Sequence, residues 1–149
     1  MKLVIQRVSH AEVEVEGKVV GRIAQGMLVL LGAERGDTGA TAAEAARKVA
    51  GLRIFEDPTG KMNRDLAAVG GSVLAVSQFT LAADLSRGRR PGFDHALAPD
   101  AARELYDGFV RSLETLGVPV QVGVFGAMMN VSLTNAGPAT FILDLPAEG

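Results

Sequence analysis

Apolar and polar residues alternate at the start of the chain and then shift to helical spacing, and the points where the period changes mark its elements. Residues 3 to 8 (LVIQRV) and 11 to 15 (AEVEV) predict two strands. In the second, Val13 and Val15 fall on one face and Glu12, Glu14 and Glu16 on the other, the period of two that a half-buried strand requires. Gly17-Lys18 predicts a tight turn into Val19, Val20 and Ile23, so Glu12 to Ile23 reads as a hairpin. A third apolar run, Met27 to Leu31, is bounded by Gly26 and Gly32. Strands this closely joined are expected to pair antiparallel, because a parallel neighbour needs a crossover of about a dozen residues.

After Gly36 the period becomes helical. Asp37 or Thr38 can serve as N-cap, and Thr41 to Arg53 is rich in strong helix formers, with Ala42, Ala45, Ala46, Val49 and Leu52 on one stripe. Asp57-Pro58-Thr59-Gly60 predicts a turn, with proline presetting φ and glycine free to take it positive. Val73 to Val76 is apolar throughout and too short for a confident helix, hence a buried strand. Asp100 to Leu116 predicts a second helix with Pro99 at its mouth and Gly117 as its stop. Its apolar stripe is Ala101, Leu105, Phe109, Val110, Leu113 and Leu116. Val118 to Val124, Met129 to Leu133 and Thr140 to Leu145 complete a strand-rich ending, and residues 146–149 read as a flexible tail. With no internal repeat or linker, this order predicts one α+β domain over 1–149: a mainly antiparallel, barrel-like sheet with two packed helices. Open strand edges in such a sheet favour a homodimer.

Composition narrows the chemistry. A chain of 149 residues buries roughly two-thirds of its unfolded surface and needs no staple. Its apolar runs are too short to span a bilayer, and the N-terminus meets charge after three apolar residues, unlike a secretory signal. The expectation is a cytoplasmic protein with no membrane partner. Zero cysteines exclude thiolate chemistry, and His10 and His95 stand far apart without metal-ligand spacing, so no metal site is expected. A net charge of −2 gives no bulk pull on nucleic acid, so any polyanion must meet a local patch.

Three segments carry candidate chemistry. Ser77, Gln78, Phe79 and Thr80 place two hydroxyls, an amide and an aromatic ring at the end of the Val73 strand. That is either a site fixed on rigid backbone or a strand end with polar residues facing water. Arg87, Arg89 and Arg90 lie on a loop broken by glycine and proline, with Phe93 nearby. They form a phosphate-contacting patch or a solvated loop. Gly137-Pro138 is a hairpin corner or, if its peptide bond is cis, a device that aims backbone carbonyls where a trans turn cannot.

Taken together, MKLVIQRV at 1–8, GKMN at 60–63, GGSVLAVSQFTLAAD at 70–84, RGRRPGF at 87–93 and GPAT at 137–140 resemble the D-aminoacyl-tRNA deacylase family, in order and spacing and across essentially the whole chain. The resemblance implies a homodimer with pockets at the subunit interface. It implies hydrolysis of the ester between a D-amino acid and the terminal adenosine of a tRNA, and release of glycine mischarged onto alanine tRNA, as quality control of translation. It implies no cofactor and no DNA partner. Ser77, Gln78, Phe79 and Thr80 then form one wall of the pocket. Gly137 and Pro138 form a Gly-cisPro gate that enters from the partner subunit and rejects L-amino acids, and Phe125, Gly126, Ala127 and Met129 hold the adenosine. Family members usually carry Asp before the Gly-Pro and Val after it, where this chain has Ala136 and Ala139.

An aminoacyl ester is already activated, so its hydrolysis needs positioned water and oxyanion donors more than a strong nucleophile. Backbone N–H groups around Phe79 and Thr80 could be those donors. Thr80 as covalent nucleophile would require an adjacent base, and no histidine lies in either motif. The family account gives the activation of water to the tRNA's 2′-hydroxyl. Two other functions stay open at this point: a non-catalytic tRNA- or RNA-binding module built on the arginine loop and Phe93, and a small-molecule esterase.

Overall fold

The computed structural model describes residues 1–147; residues 148–149, the end of the expected tail, lie outside the described residues. Eight strands and three helices run in the order β1 (Lys2–Val15), β2 (Lys18–Ile23), β3 (Gly26–Gly32), α1 (Gly39–Gly51), β4 (Phe55–Glu56), β5 (Met62–Arg64), α2 (Leu66–Val69), β6 (Ser72–Ser77), α3 (Pro99–Thr115), β7 (Val120–Val122) and β8 (Asn130–Asp144).

The two strands expected before residue 16 are one. β1 carries β3 on its first half and β2 on its second, while β8 runs antiparallel along its other edge from Lys2↔Asp144 to Glu14↔Asn130. Register shifts on either side of Val8 bend it, and such bulges let a sheet curl towards a barrel. The hairpin turn sits one residue earlier than Gly17-Lys18. Val15 pairs with Lys18, and Glu16 and Gly17 both take positive φ, +50° and +77°, as a two-residue hairpin loop requires.

The sheet is mainly antiparallel, as expected, with two parallel pairings that make it mixed. Its main path is β2-β1-β3-β6-β7, and β3–β6 and β6–β7 are parallel. The crossover from β3 to β6 contains α1, long enough to return the chain in the same direction. Parallel strands are covered on both faces, which explains the unbroken apolar runs. Met27, Val29, Leu31, Val73 and Ala75 pack beneath α1 and α3 with Ala45, Val49, Phe109 and Leu113. From the opposite face of the same strands, Leu28, Leu74 and Val76 join Val8, Val13 and Ile23 inside the curl.

Thr38 is the N-cap of α1, its backbone N–H donating to Thr41 Oγ1 at 3.0 Å, and the predicted alanine face with Val49 is buried. The stripe of α3 is rotated from the predicted one. Ala102 and Tyr106 are buried with Phe109 and Leu113, whereas Leu116 is the exposed C-cap. The third helix, α2, is a single turn capped by Asp65, which accepts from the Ala68 N–H at 2.9 Å, and ended by Gly70 at φ +65°.

Candidate active site

Strand β6 brings Ser77 to the sheet's rim, and there the chain leaves the strand. Residues Phe79–Ala82 form a 3-10 turn, with the Leu81 N–H donating to the Gln78 carbonyl at 3.2 Å. The leading amides of such a turn, those of Phe79 and Thr80, have no acceptor within it. The Gln78 side-chain amide donates to Thr80 Oγ1. Thr80 therefore orients Gln78.

Ser77, Gln78 and Phe79 line a cavity of about 660 Å³ together with Phe125, Gly126, Ala127 and Met129. Two segments far apart in sequence thus line one cleft. The 93–98 segment closes it with Phe93, Ala96 and Leu97. Phe79 and Phe93 meet at 5.2 Å between ring centroids. Thr80 does not line this cavity, and neither do Gly137 and Pro138 of the same chain. Among the described residues no group of three histidine or carboxylate side chains could hold a metal ion.

Phe125 is held from two sides. The Tyr106 ring lies 6.0 Å away and the Arg103 guanidinium carbon 5.8 Å above its face, a cation–π contact. Tyr106 is itself anchored, its hydroxyl donating to the Ala75 carbonyl at 2.8 Å. Burial, with the Asp107 charge as a lesser cause, pushes the Tyr106 phenol up to about 12. The neutral phenol belongs to the folded state, so its contribution is intact below the unfolded value near 10 and is lost as pH rises from there towards 12. Tyr106 is the only tyrosine. Phenolate absorbance should therefore rise near pH 12 in the folded protein and near pH 10 in denaturant, and a common midpoint near 10 would contradict its anchoring.

The arginine loop leaves the same rim. A two-way pairing of Asp84 with Gly92, at 2.7 and 2.9 Å, closes it at its base, and Arg87, Arg89 and Arg90 are all exposed. Ser86 donates to Asp84 through both its hydroxyl and its backbone N–H, which holds that carboxyl below the usual carboxylate range.

Gly137-Pro138 is not a hairpin corner. It lies within β8, and its peptide bond is cis. Between the pairs Gln6↔Thr140 and Val8↔Asn135, β8 takes five residue steps where β1 takes two, so residues 136–139 stand away from the ladder. Side chains fix this bulge. Asn135 accepts from the Ala139 N–H at 3.0 Å and donates to Thr140 Oγ1 at 2.8 Å, and Arg7 Nε donates to the Ala136 carbonyl at 2.9 Å. Arg7 Nη1 also reaches the Ile54 carbonyl at 2.8 Å. Sequence reasoning missed Arg7 and Asn135 as anchors. For Arg7 a signal existed: it follows Leu3 and Ile5 on the alternation, a charge in an apolar phase.

An apolar cleft with aromatic walls and a few convergent polar groups at a strand's C-terminal end defines a binding pocket for a small organic group. The comparisons with known proteins give it a family. The sequence profile described as D-Tyr-tRNA(Tyr) deacylase matches residues 4–144. The D-aminoacyl-tRNA deacylase of Geobacter sulfurreducens is 58% identical over 144 residues, covering 97% of this chain and 95% of that one. That of Thermomicrobium roseum is 57% identical, covering 97% and 94%. Among solved structures, one described as c-Myc DNA Unwinding Element Binding Protein superposes with a TM-score of 0.93 at 37% identity, covering 99% of this chain and 100% of that one. The chain belongs to the D-aminoacyl-tRNA deacylase family.

Proposed function

We propose that this protein hydrolyses the ester of D-aminoacyl-tRNA, and of glycine mischarged onto alanine tRNA, while sparing L-aminoacyl-tRNA. The observation that carries the reading is the single cavity shared by Ser77, Gln78, Phe79 and the Phe125–Met129 segment, in a chain matching the family over 4–144. Phe125, with Gly126, Ala127 and Met129, receives the terminal adenosine. The ester carbonyl then lies at the 3-10 turn, where the Phe79 amide, without an acceptor inside the turn, acts as an oxyanion donor, a contribution of about 10²-fold or more. Arg87, Arg89 and Arg90 meet the tRNA backbone.

Chirality is selected by exclusion. Gly137 and Pro138 present backbone carbonyls to the pocket of a second subunit, where they occupy the space of an L side chain and leave room for a D side chain or a hydrogen. A homodimer supplies that second copy. The outer edge of β8 carries no strand among the described residues, and Ile142 on it is 77% exposed, which favours pairing with another copy. This activity removes misacylated tRNA before it reaches translation.

Water is activated by the tRNA's 2′-hydroxyl rather than by Thr80, because Thr80 Oγ1 already accepts from Gln78 and stands off the cavity wall. Two substrates and one variant test this. A tRNA ending in 2′-deoxyadenosine should react about 10²- to 10⁴-fold more slowly. Thr80→Ala should cost about tenfold or less, the loss of one hydrogen bond. Abolished turnover in Thr80→Ala with full reactivity of the deoxy substrate would establish the nucleophile reading instead.

A further inference from the structure

One cation touches the cavity wall without lining the cavity. Arg103 lies on α3, directly after Ala102, which lines the cavity. Its guanidinium carbon stands 5.8 Å from the ring centroid of Phe125, which lines it too. Asp100 and Asp107 fall three residues before Arg103 and four after it, the spacings at which ion pairs form on a helix surface. Neither they nor Glu104 pairs with Arg103 among the described residues. On α1, by contrast, Arg47 and Lys48 both reach Glu44. Arg103 is exposed. A guanidinium over a ring engages it with its face, and the N–H groups along its edges stay available to an acceptor.

The cavity itself offers nothing to a phosphate, because no described residue that lines it is charged. It can take a nucleoside. The ionised phosphodiester on that nucleoside's 5′ oxygen must stay outside, since a charge without a partner is strongly disfavoured in an apolar cavity.

We propose that Arg103 binds the phosphodiester that joins the terminal adenosine to the nucleotide before it. The assignment deepens the function proposed above and rests on it, since it requires an adenosine against Phe125. The ring already holds the guanidinium, so less side-chain freedom is lost on binding, and the planar fork can offer two N–H groups to two phosphate oxygens. Such a contact reads no base and instead fixes register. Here it sets how far the acceptor end enters, and so where the ester carbonyl stands at the 3-10 turn. Arg87, Arg89 and Arg90, on their exposed loop, are left for phosphates farther along the strand.

The test compares adenosine with adenosine 5′-(methyl phosphate), which carries the single charge of the diester. Calorimetry at low salt measures the binding of both to the parent protein, Arg103→Gln and Arg103→Lys. The parent should bind the methyl phosphate about fivefold more tightly than adenosine. Arg103→Gln should bind the two alike, and Arg103→Lys should keep part of the difference, having the charge without the fork. On D-tyrosyl-tRNA, Arg103→Gln should raise KM about fivefold with kcat nearly unchanged, and the slope of log KM against log salt should fall by about one. If Arg103 only braces Phe125, Arg103→Gln weakens adenosine and its methyl phosphate by the same factor, and that result would overturn the assignment. Equal binding of the two ligands by the parent would overturn it as well, while leaving the adenosine seat in place. Failure of both ligands to bind would overturn the seat and the assignment together. The binding measurements need no turnover, so a protein that prefers the methyl phosphate yet hydrolyses no ester would support Arg103's role and contradict the proposed reaction.

Discussion

Gly137→Ala is expected to slow release of D-tyrosine from D-tyrosyl-tRNA by about 10²-fold, on the scale of a 1 Å displacement of a positioning element. Gly137 has φ +129°, a conformation that costs an L residue about 1–3 kcal/mol. An alanine Cβ there would stand 2.6 Å from Arg7 Nη2. Arg7 has little freedom to retreat, since it already bonds the Ala136 and Ile54 carbonyls at 2.9 and 2.8 Å. The 136–139 bulge must shift instead, and the carbonyls proposed to face the partner's pocket shift with it. Single-turnover assays of both enantiomers check this. A D-rate within about threefold of the parent, with the L-ester still spared, would place chirality selection outside the bulge.

The largest loss of stability is expected from Gly26→Ala, about 4 kcal/mol, which for a chain of this size lowers Tm by about 8–16 °C. Gly26 opens β3 opposite Ser72, the first rung of the parallel β3–β6 ladder. A Cβ at Gly26 would fall 1.8 Å from the Ser72 carbonyl oxygen and 2.8 Å from the Ser72 carbonyl carbon. Backbone cannot swing aside as a side chain can, so the rung must open, and it belongs to the strand that carries Ser77. Gly108→Ala supplies the contrast. Gly108 is inside α3, and its Cβ would meet nothing closer than Arg111 Nη2 at 3.8 Å. That change should raise Tm by about 2–4 °C through helix propensity alone. Thermal melts of both variants decide the point, and a Gly26→Ala protein melting like the parent would contradict the β3–β6 register.

These two glycines show what the sequence can and cannot disclose. Gly26 was visible as punctuation before an apolar run, but its closeness to Ser72 depends on a parallel pairing across α1, which short-range spacing argues against. The apolar runs at 27–31 and 73–76 announced burial, while the partner of each strand is set by tertiary packing. The sequence of β1 predicts two strands because Ser9 and His10 interrupt the apolar phase. In the fold that interruption is where β1 bends and changes partner from β3 to β2. The α3 stripe is rotated from the expected one because Ala101 and Ala102 differ too little in apolar character to fix a phase, and the burial of Tyr106 rests on its hydroxyl reaching the Ala75 carbonyl, a contact that only the tertiary fold supplies.

Within the site, the Ser77–Phe79 wall and the 125–129 wall were legible as motifs, and the cavity joins them. The cis bond at Gly137-Pro138 was one of two alternatives for a Gly-Pro pair. What holds the bulge, Asn135 and Arg7, was not legible, because each acts on backbone groups that only the β1–β8 register brings within reach. Asp65-Leu66-Ala67-Ala68-Val69-Gly70 carried both the cap and the stop of α2 in its sequence, but one turn is too short for periodicity to register.

The most direct measurement of the central claim is release of amino acid from matched D-tyrosyl-tRNA and L-tyrosyl-tRNA by the purified protein. The account predicts D-release at least about 10²-fold faster than L-release, the discrimination expected when one enantiomer's side chain meets fixed backbone. Release of neither ester by protein that still binds tRNA, or equal release of both, would contradict it.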